Sequence, residues 1–219
     1  MQPVSFPVTH ELDGWDLLWV RLEAVSGKDA ELAALRKTVS ERARSAFRLE
    51  NLSSDPTVAA VRSLFRAAGC DPTRYRPSSE ALLRRVLKGE DLPAIHPVVD
   101  LNNCLSVALA VPCCAAAEGS FASPVVLRAG RAGESYESLR GPFNLEGKPL
   151  LADGEGPFGT PITDSQRVKM KEGDSRAWMV AYLPRGVVSA EAAEKVLNGL
   201  LAEAPGATPA VIEEVGLST

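Results

Sequence analysis

Asp100-Leu101-Asn102-Asn103 sets one carboxylate and two adjacent carboxamides at the opening of a helical pattern. Amide side chains just inside a helix start offer donors and acceptors beside backbone N–H groups that lack intrahelical partners. Such a place suits a carboxylate, a phosphate or a ribose hydroxyl. The same residues also serve as a plain cap, Asp100 closing the helix end and the asparagines bonding to a neighbouring loop. A second polar run, Gly159-Thr160-Pro161-Ile162-Thr163-Asp164-Ser165-Gln166-Arg167-Val168-Lys169, brings hydroxyls, a carboxylate and cations together within a few residues. Thr160 and Ser165 could bind a substrate. Arg167 could clamp a phosphate or carboxylate with its planar fork, held in place by Asp164. A solvated loop with surface ion pairs is the alternative. His96 precedes Pro97, where extended backbone could set the imidazole at a cleft as a general base.

A third feature is basic. Arg62, Arg66, Arg74, Arg76, Arg84, Arg85 and Lys88 face only Asp71 and Glu80, with Tyr75 among them. Phosphates could bind Arg76, Arg84, Arg85 and Lys88 while the ring stacks on an unpaired RNA base. A solvated helix face gives the same pattern.

Common catalytic signatures are missing: no G-x-S-x-G elbow, no G-x-x-x-x-G-K-[ST] loop and no H-E-x-x-H pair. The sequence suggests no cofactor. Cys70, Cys104, Cys113 and Cys114 form no C-x-x-C pair, and with only His10 and His96 beside them they do not compose a zinc site. Cys113 and Cys114 read as reduced core thiols of a cytoplasmic protein. The start, Met1-Gln2-Pro3-Val4-Ser5-Phe6, has no signal-peptide pattern. The apolar stretch from Val98 to Ala117 is broken by Asp100, Asn102, Asn103 and Pro112, and reads as a buried helix and strand rather than a membrane span. A net charge of −4 over 219 residues leaves a local basic face free to meet RNA.

These residues need elements to position them. Alternation over Leu17–Val25 predicts a strand, and Leu32, Leu35, Val39 and Ala43 predict a helix after it. Asp55-Pro56 opens a second helix that Gly69 stops, and a third runs from about Ser79 to Lys88. Asp100 caps a fourth through Leu101, Leu105 and Ala108. Strands follow at Val125–Leu127, Leu150–Ala152 and Ala177–Leu183, with a turn at Asp153-Gly154. Ser189 caps a closing helix stopped by Pro205-Gly206, and Val211-Ile212 adds an edge strand. The expected architecture is an α/β fold of the α+β type, a mixed sheet flanked by helices with an N-terminal helical extension. One domain covers residues 1–219, and about the first 55 residues are its less recognisable part.

The runs Arg74-Tyr75-Arg76-Pro77-Ser78-Ser79-Glu80-Ala81-Leu82-Leu83-Arg84-Arg85-Val86-Leu87-Lys88-Gly89 and Leu92–Asn103, with its Val-Asp-x-x-Asn core, resemble a stand-alone B3/B4-domain protein. The resemblance extends roughly from Pro56 to Pro184. The related module of bacterial phenylalanyl-tRNA synthetase lies in the β subunit and hydrolyses tyrosine wrongly esterified to tRNA. The resemblance therefore implies an aminoacyl-tRNA or aminoacyl-ester site in a cleft, with tRNA or a small amino-acid-like ligand as partner, and neither membrane nor DNA. Asn103 matches the asparagine of the motif, and Asn102 stands where the synthetase has threonine or serine. Carried over, Asn102 and Asn103 orient the ester or terminal ribose. Asp164 or His96 orders the water, and Arg167 with the Arg84–Arg85 region meets phosphate. Two departures stand out. Cys114 falls where the synthetase has an editing-site histidine, and Gly154–Gly159 does not reproduce its paired glycines. Class II synthetase motifs are absent too, so the chain cannot itself charge tRNA. A trans-acting ester hydrolase and a non-catalytic binding module both fit.

Overall fold

Trp15–Ala24 (β2) is apolar on both faces, and the fold puts it inside a four-stranded sheet rather than at an edge. The computed structural model describes residues 1–203 and 209–219, so the expected helix stop at Pro205-Gly206 lies outside the described residues. β2 pairs antiparallel with β9 (Arg176–Pro184) and with β10 (Ala210–Ser218). On the far side of β9 lies β3 (Cys113–Ala117), giving the order β10-β2-β9-β3. The final edge strand is thus real and longer than Val211-Ile212 suggested.

Alternation divides this sheet into two faces. Trp15, Leu17 and Trp19 share one with Tyr182, Val180 and Cys114: Leu17 stands opposite Tyr182, Trp19 opposite Val180, and Val180 opposite Cys114 in register. That face is aromatic: Trp15 meets Tyr182 and Phe65 edge-on at 6.0 and 6.4 Å, and Phe6 meets Trp19 and Trp178 at 5.0 and 5.2 Å. Helices α4 (Pro97–Leu109) and α5 (Ala190–Glu203) pack against β2, and α1 (Asp29–Ala46) packs on α4. A second sheet has the order β1-β4-β7-β8: Val8–His10, Val125–Ala129, Pro149–Asp153 and Gly156–Gly159. It is mixed, β1 running parallel to β4 and the other pairs antiparallel. The small hairpin of β5 (Ser135–Ser138) and β6 (Gly141–Asn144) completes the described strands. The fold is mixed α/β with helices flanking sheets, and its N-terminal region adds β2 as well as a helix.

Helix starts follow their local chemistry. Asp55 Oδ1 accepts the Thr57 and Val58 N–H groups at 3.0 and 3.2 Å above Pro56, opening α2 (Pro56–Ala67). Helix α3 (Ser78–Leu87) follows, close to its expected span. The start of α4 differs from expectation. It begins at Pro97, one turn before Asp100, because proline at the first helical position follows a His96 cap whose Nδ1 accepts the Val98 N–H at 3.3 Å. Its far end turns at Ala110, a non-glycine residue in the left-handed region (φ 56°), a conformation costing roughly 1–2 kcal/mol. Ser106 Oγ donates to Val111 O at 2.8 Å across this turn, so Cys113 and Cys114 enter β3 directly beside the helix. Among the described residues no helix is long and apolar enough to cross a membrane.

Candidate functional site

The polar loop Gly159–Ser165 folds over the start of β3. Thr160, 1 % exposed, donates its Oγ1–H to Thr163 O at 2.7 Å and accepts from the Ile162 and Thr163 N–H groups at 3.3 and 3.1 Å. Tyr136 on β5 donates to Thr163 O at 2.5 Å. Ser165 Oγ donates to Phe158 O at 2.7 Å. The Cys114 thiol donates to Thr160 O at 3.2 Å, tying β3 to the loop. These bonds leave one side chain aimed inward without satisfaction. Asp164 keeps part of its surface in solvent, yet its Oδ1 is wholly enclosed and receives no hydrogen bond from the described residues. Gly159 forms the adjoining wall, where a Cβ would stand 3.2 Å from that oxygen.

Around Asp164 stand groups that stay neutral. Burial raises its pKa to about 7, opposed by the Cys114 side chain and the Ala115 N–H. Burial lifts the Cys114 thiol well above its ordinary value, and the nearby Asp164 carboxylate lifts it further. Tyr182 is fully enclosed, its hydroxyl has no hydrogen-bond partner among the described residues, and burial followed by Cys114 and Asp164 pushes its ionisation far up. Burial also raises the Tyr136 hydroxyl. One carboxyl that titrates near neutrality thus sits among a thiol and two hydroxyls that do not. Such a carboxyl can take a proton from a water, or hold the polar group of a ligand.

Asn102 adjoins this place through β3: its Nδ2 donates to Cys113 O at 3.1 Å, while its buried Oδ1 has no partner. Asn103 is half-buried, and its carboxamide makes no hydrogen bond to the described residues. The structure therefore gathers Asp164, Ser165, Thr160 and Cys114, with Asn102 beside them. Tyr136 and Tyr182 complete the group, and the sequence reading passed over both. Tyr182 carried a faint signal, a hydroxyl in an otherwise apolar strand, whereas Tyr136 carried none.

Several expected roles are corrected. Both ring nitrogens of His96 are occupied, Nδ1 by the Val98 N–H and Nε2, as donor, by Asp174 O at 3.0 Å, which leaves no lone pair for a general base. His96→Ala should cost about 1 kcal/mol, the scale of losing a cap, and leave the pH dependence of any activity unchanged. A neutral-pH limb that disappears with the imidazole would restore it as the base. Asp100 is not the cap. Its Oδ1 accepts the Ile95 and His96 N–H groups at 2.8 and 3.4 Å, and its Oδ2 binds Arg36. Arg167 is held by Asp153 rather than Asp164, donates to Ser120 O at 2.9 Å, and lies 5.6 Å over the Phe158 ring. This leaves it poorly placed to clamp a phosphate. Tyr75 is covered by Lys148 Nζ at 3.8 Å and by Arg74 at 5.2 Å, so its ring is not a bare stacking platform.

In the basic run, Arg76 and Arg84 converge on buried Glu80 and Arg85 pairs with Glu90 at 2.8 Å. Lys88 is exposed with no acidic partner among the described residues. Two cavities, of about 310 and 280 Å³, lie elsewhere: one among α1, α4 and α5, the other beside Asp16 and Val187–Glu191. Neither is lined by Asn102, Asn103, Cys114, Thr160 or Asp164.

The family model of the B3/4 domain matches residues 60–197, so the chain belongs to the B3/4 domain family. The match leaves out β2 and β10, although both pair within the sheet that holds β9. Among solved structures the chain is similar to an N-terminal fragment of the phenylalanyl-tRNA synthetase β-subunit from Pyrococcus horikoshii. The two share 13% identity at a TM-score of 0.47, over 99% of this chain and 51% of that one. The chain thus spans about half the length of that fragment. No curated protein matches the chain.

Proposed function

We propose that this B3/4 domain acts on an aminoacyl ester of tRNA, binding the charged end and hydrolysing it in trans, with the chain working as one cytoplasmic domain. The observation that carries the reading is Asp164, a carboxyl near pKa 7 whose enclosed Oδ1 has no hydrogen-bond partner among the described residues and whose neighbours Cys114, Tyr136 and Tyr182 stay neutral. Family membership supports it. The reading also accounts for two open carboxamide groups, Asn102 Oδ1 and the Asn103 amide, on the neighbouring helix.

In this reaction Asp164 takes a proton from water as the water oxygen attacks the ester carbonyl. The bond to the ribose oxygen then breaks as protonated Asp164 returns its proton to that oxygen, so the ribose leaves as a hydroxyl, the amino acid as its carboxylic acid, and Asp164 is regenerated. Asn103 supplies a hydrogen bond to the developing oxyanion, Asn102 and Thr160 border the aminoacyl group, and the basic edge of α3 meets phosphate. The Gly159–Ser165 loop, which carries Asp164, must shift for the ester to reach the enclosed Oδ1.

A binding module without turnover is the second reading. It is favoured by Cys114, a thiol that burial keeps neutral and that cannot take the part of an imidazole. Deacylation separates the two. With protein at about a hundredth of the substrate concentration, a hydrolase consumes one misacylated tRNA faster than background, and Asn103→Ala slows it by about 10²-fold or more. A binder protects or retains the ester instead. Unchanged turnover in Asn103→Ala would remove that amide from the mechanism.

A further inference from the structure

Glu80 is outnumbered. It is 1 % exposed on α3, yet Arg62 Nη1 and Arg84 Nε lie 2.8 and 2.9 Å from its carboxylate, and Arg76 Nε stands at 3.6 Å. Asp100, similarly buried, is answered by Arg36 alone. Three guanidinium groups meet this one carboxylate; Asp71 answers part of the charge on Arg62, and an excess of positive charge is left on Arg84 and Arg76, 27% and 43% exposed. Like charges held this close repel, more strongly as the surrounding dielectric falls. An anion landing there relieves the repulsion.

The three arginines differ in what they have left to offer. Arg62 spends its terminal nitrogens on Glu80, Pro72 O and Thr73 Oγ1, and serves as a strut. Arg84 donates its Nε–H to Glu80 Oε1, which sets the plane of its fork, while Arg76 faces the same oxygen with its Nε at 3.6 Å, and neither spends its terminal nitrogens on the described residues. The cluster also adjoins the candidate site. Ser78, two residues after Arg76, donates its N–H to Pro161 O at 2.9 Å, in the loop that carries Asp164.

We propose that Glu80 is the positioning residue of a phosphate site in which Arg76 and Arg84 grip one backbone phosphate of the nucleic acid. The proposal rests on the tRNA reading for its partner but not for its chemistry. Its signature is a sign. Removing a negative charge from a phosphate-binding face should by charge alone tighten binding. Glu80→Gln instead should weaken tRNA binding, by about tenfold, because the forks lose the carboxylate that aims them.

The test measures binding of uncharged tRNA across a range of KCl, and of inorganic pyrophosphate, to the whole protein. Glu80→Gln could unfold, so the double variant Arg76→Lys/Arg84→Lys is read beside it. It keeps the charge count and loses the forks. Weaker binding in that variant with an unchanged salt slope supports the site, as does weaker binding in a Glu80→Gln variant shown to be folded. Tighter or unchanged binding in a folded Glu80→Gln, or full affinity in the lysine variant, overturns it. Should wild type bind pyrophosphate but not tRNA, and the lysine variant lose pyrophosphate, the site stands and the tRNA reading falls. If neither probe binds, the site itself is refuted.

Discussion

Asp164→Asn is expected to slow hydrolysis of the aminoacyl ester by about 10²-fold or more while making the protein more stable at pH 8. Both effects have one origin. Burial raises the Asp164 carboxyl to about 7, from the 3.8 ordinary for an aspartate. Between those two pH values the folded chain holds a proton that the unfolded chain has released. Stability from this group is therefore full below the unfolded pKa and is lost as pH rises through about 7. The loss approaches roughly 4 kcal/mol well above pH 7, an upper figure for a residue that keeps some solvent contact. Asparagine fills nearly the same volume and never ionises. The wild-type melting temperature should thus fall between pH 5 and pH 8, while that of Asp164→Asn holds, ending several degrees higher at pH 8. Hydrolysis in the wild type should rise with pH through about 7, as the base loses its proton. Parallel melting curves for the two proteins would mean that the carboxyl is not held neutral, and the base assignment would go with it. A group that destabilises the fold where its chemistry would operate is what selection for function retains.

The elements were largely legible because their signals are local. Asp55-Pro56, the stripe Leu32-Leu35-Val39 and the apolar run Ala177–Leu183 each declare an element without help from distant residues. The shorter strands β1, β5, β6 and β8, of three or four residues, declare nothing, since so few positions hold no readable period. In the site, the runs holding Asp164, Thr160 and Asn102 stood out by composition. Which charge meets which could not be read. Arg167 finds Asp153, fourteen positions back across the β7–β8 hairpin, rather than Asp164 three residues away, and Tyr136 and Tyr182 come near Asp164 from separate sheets. Pairings of this kind are set by register, which one sequence does not print.

Asp100→Ala should be the most destabilising of the changes considered, by about 3–5 kcal/mol, because it strands Arg36 in a place where only 14% of that side chain is exposed. The Ile95 and His96 N–H groups would lose their acceptor as well, loosening the chain just before α4. A melting temperature lower by roughly 10 °C would register both losses. The double variant Arg36→Met/Asp100→Asn should recover most of that stability, since a neutral pair in place of the buried ion pair leaves neither charge uncompensated and the asparagine Oδ1 still accepts the Ile95 and His96 N–H groups. This separates two residues that sit together in Val-Asp-x-x-Asn. If Asp100 only holds α4 and its entry loop in place, the recovered double variant regains hydrolysis with the wild-type pH dependence, whereas Asn103→Ala, fully folded, does not. A double variant that is stable but inactive would instead put the Asp100 carboxylate in the chemistry, and the unpartnered Asn103 amide would no longer be needed to explain the motif.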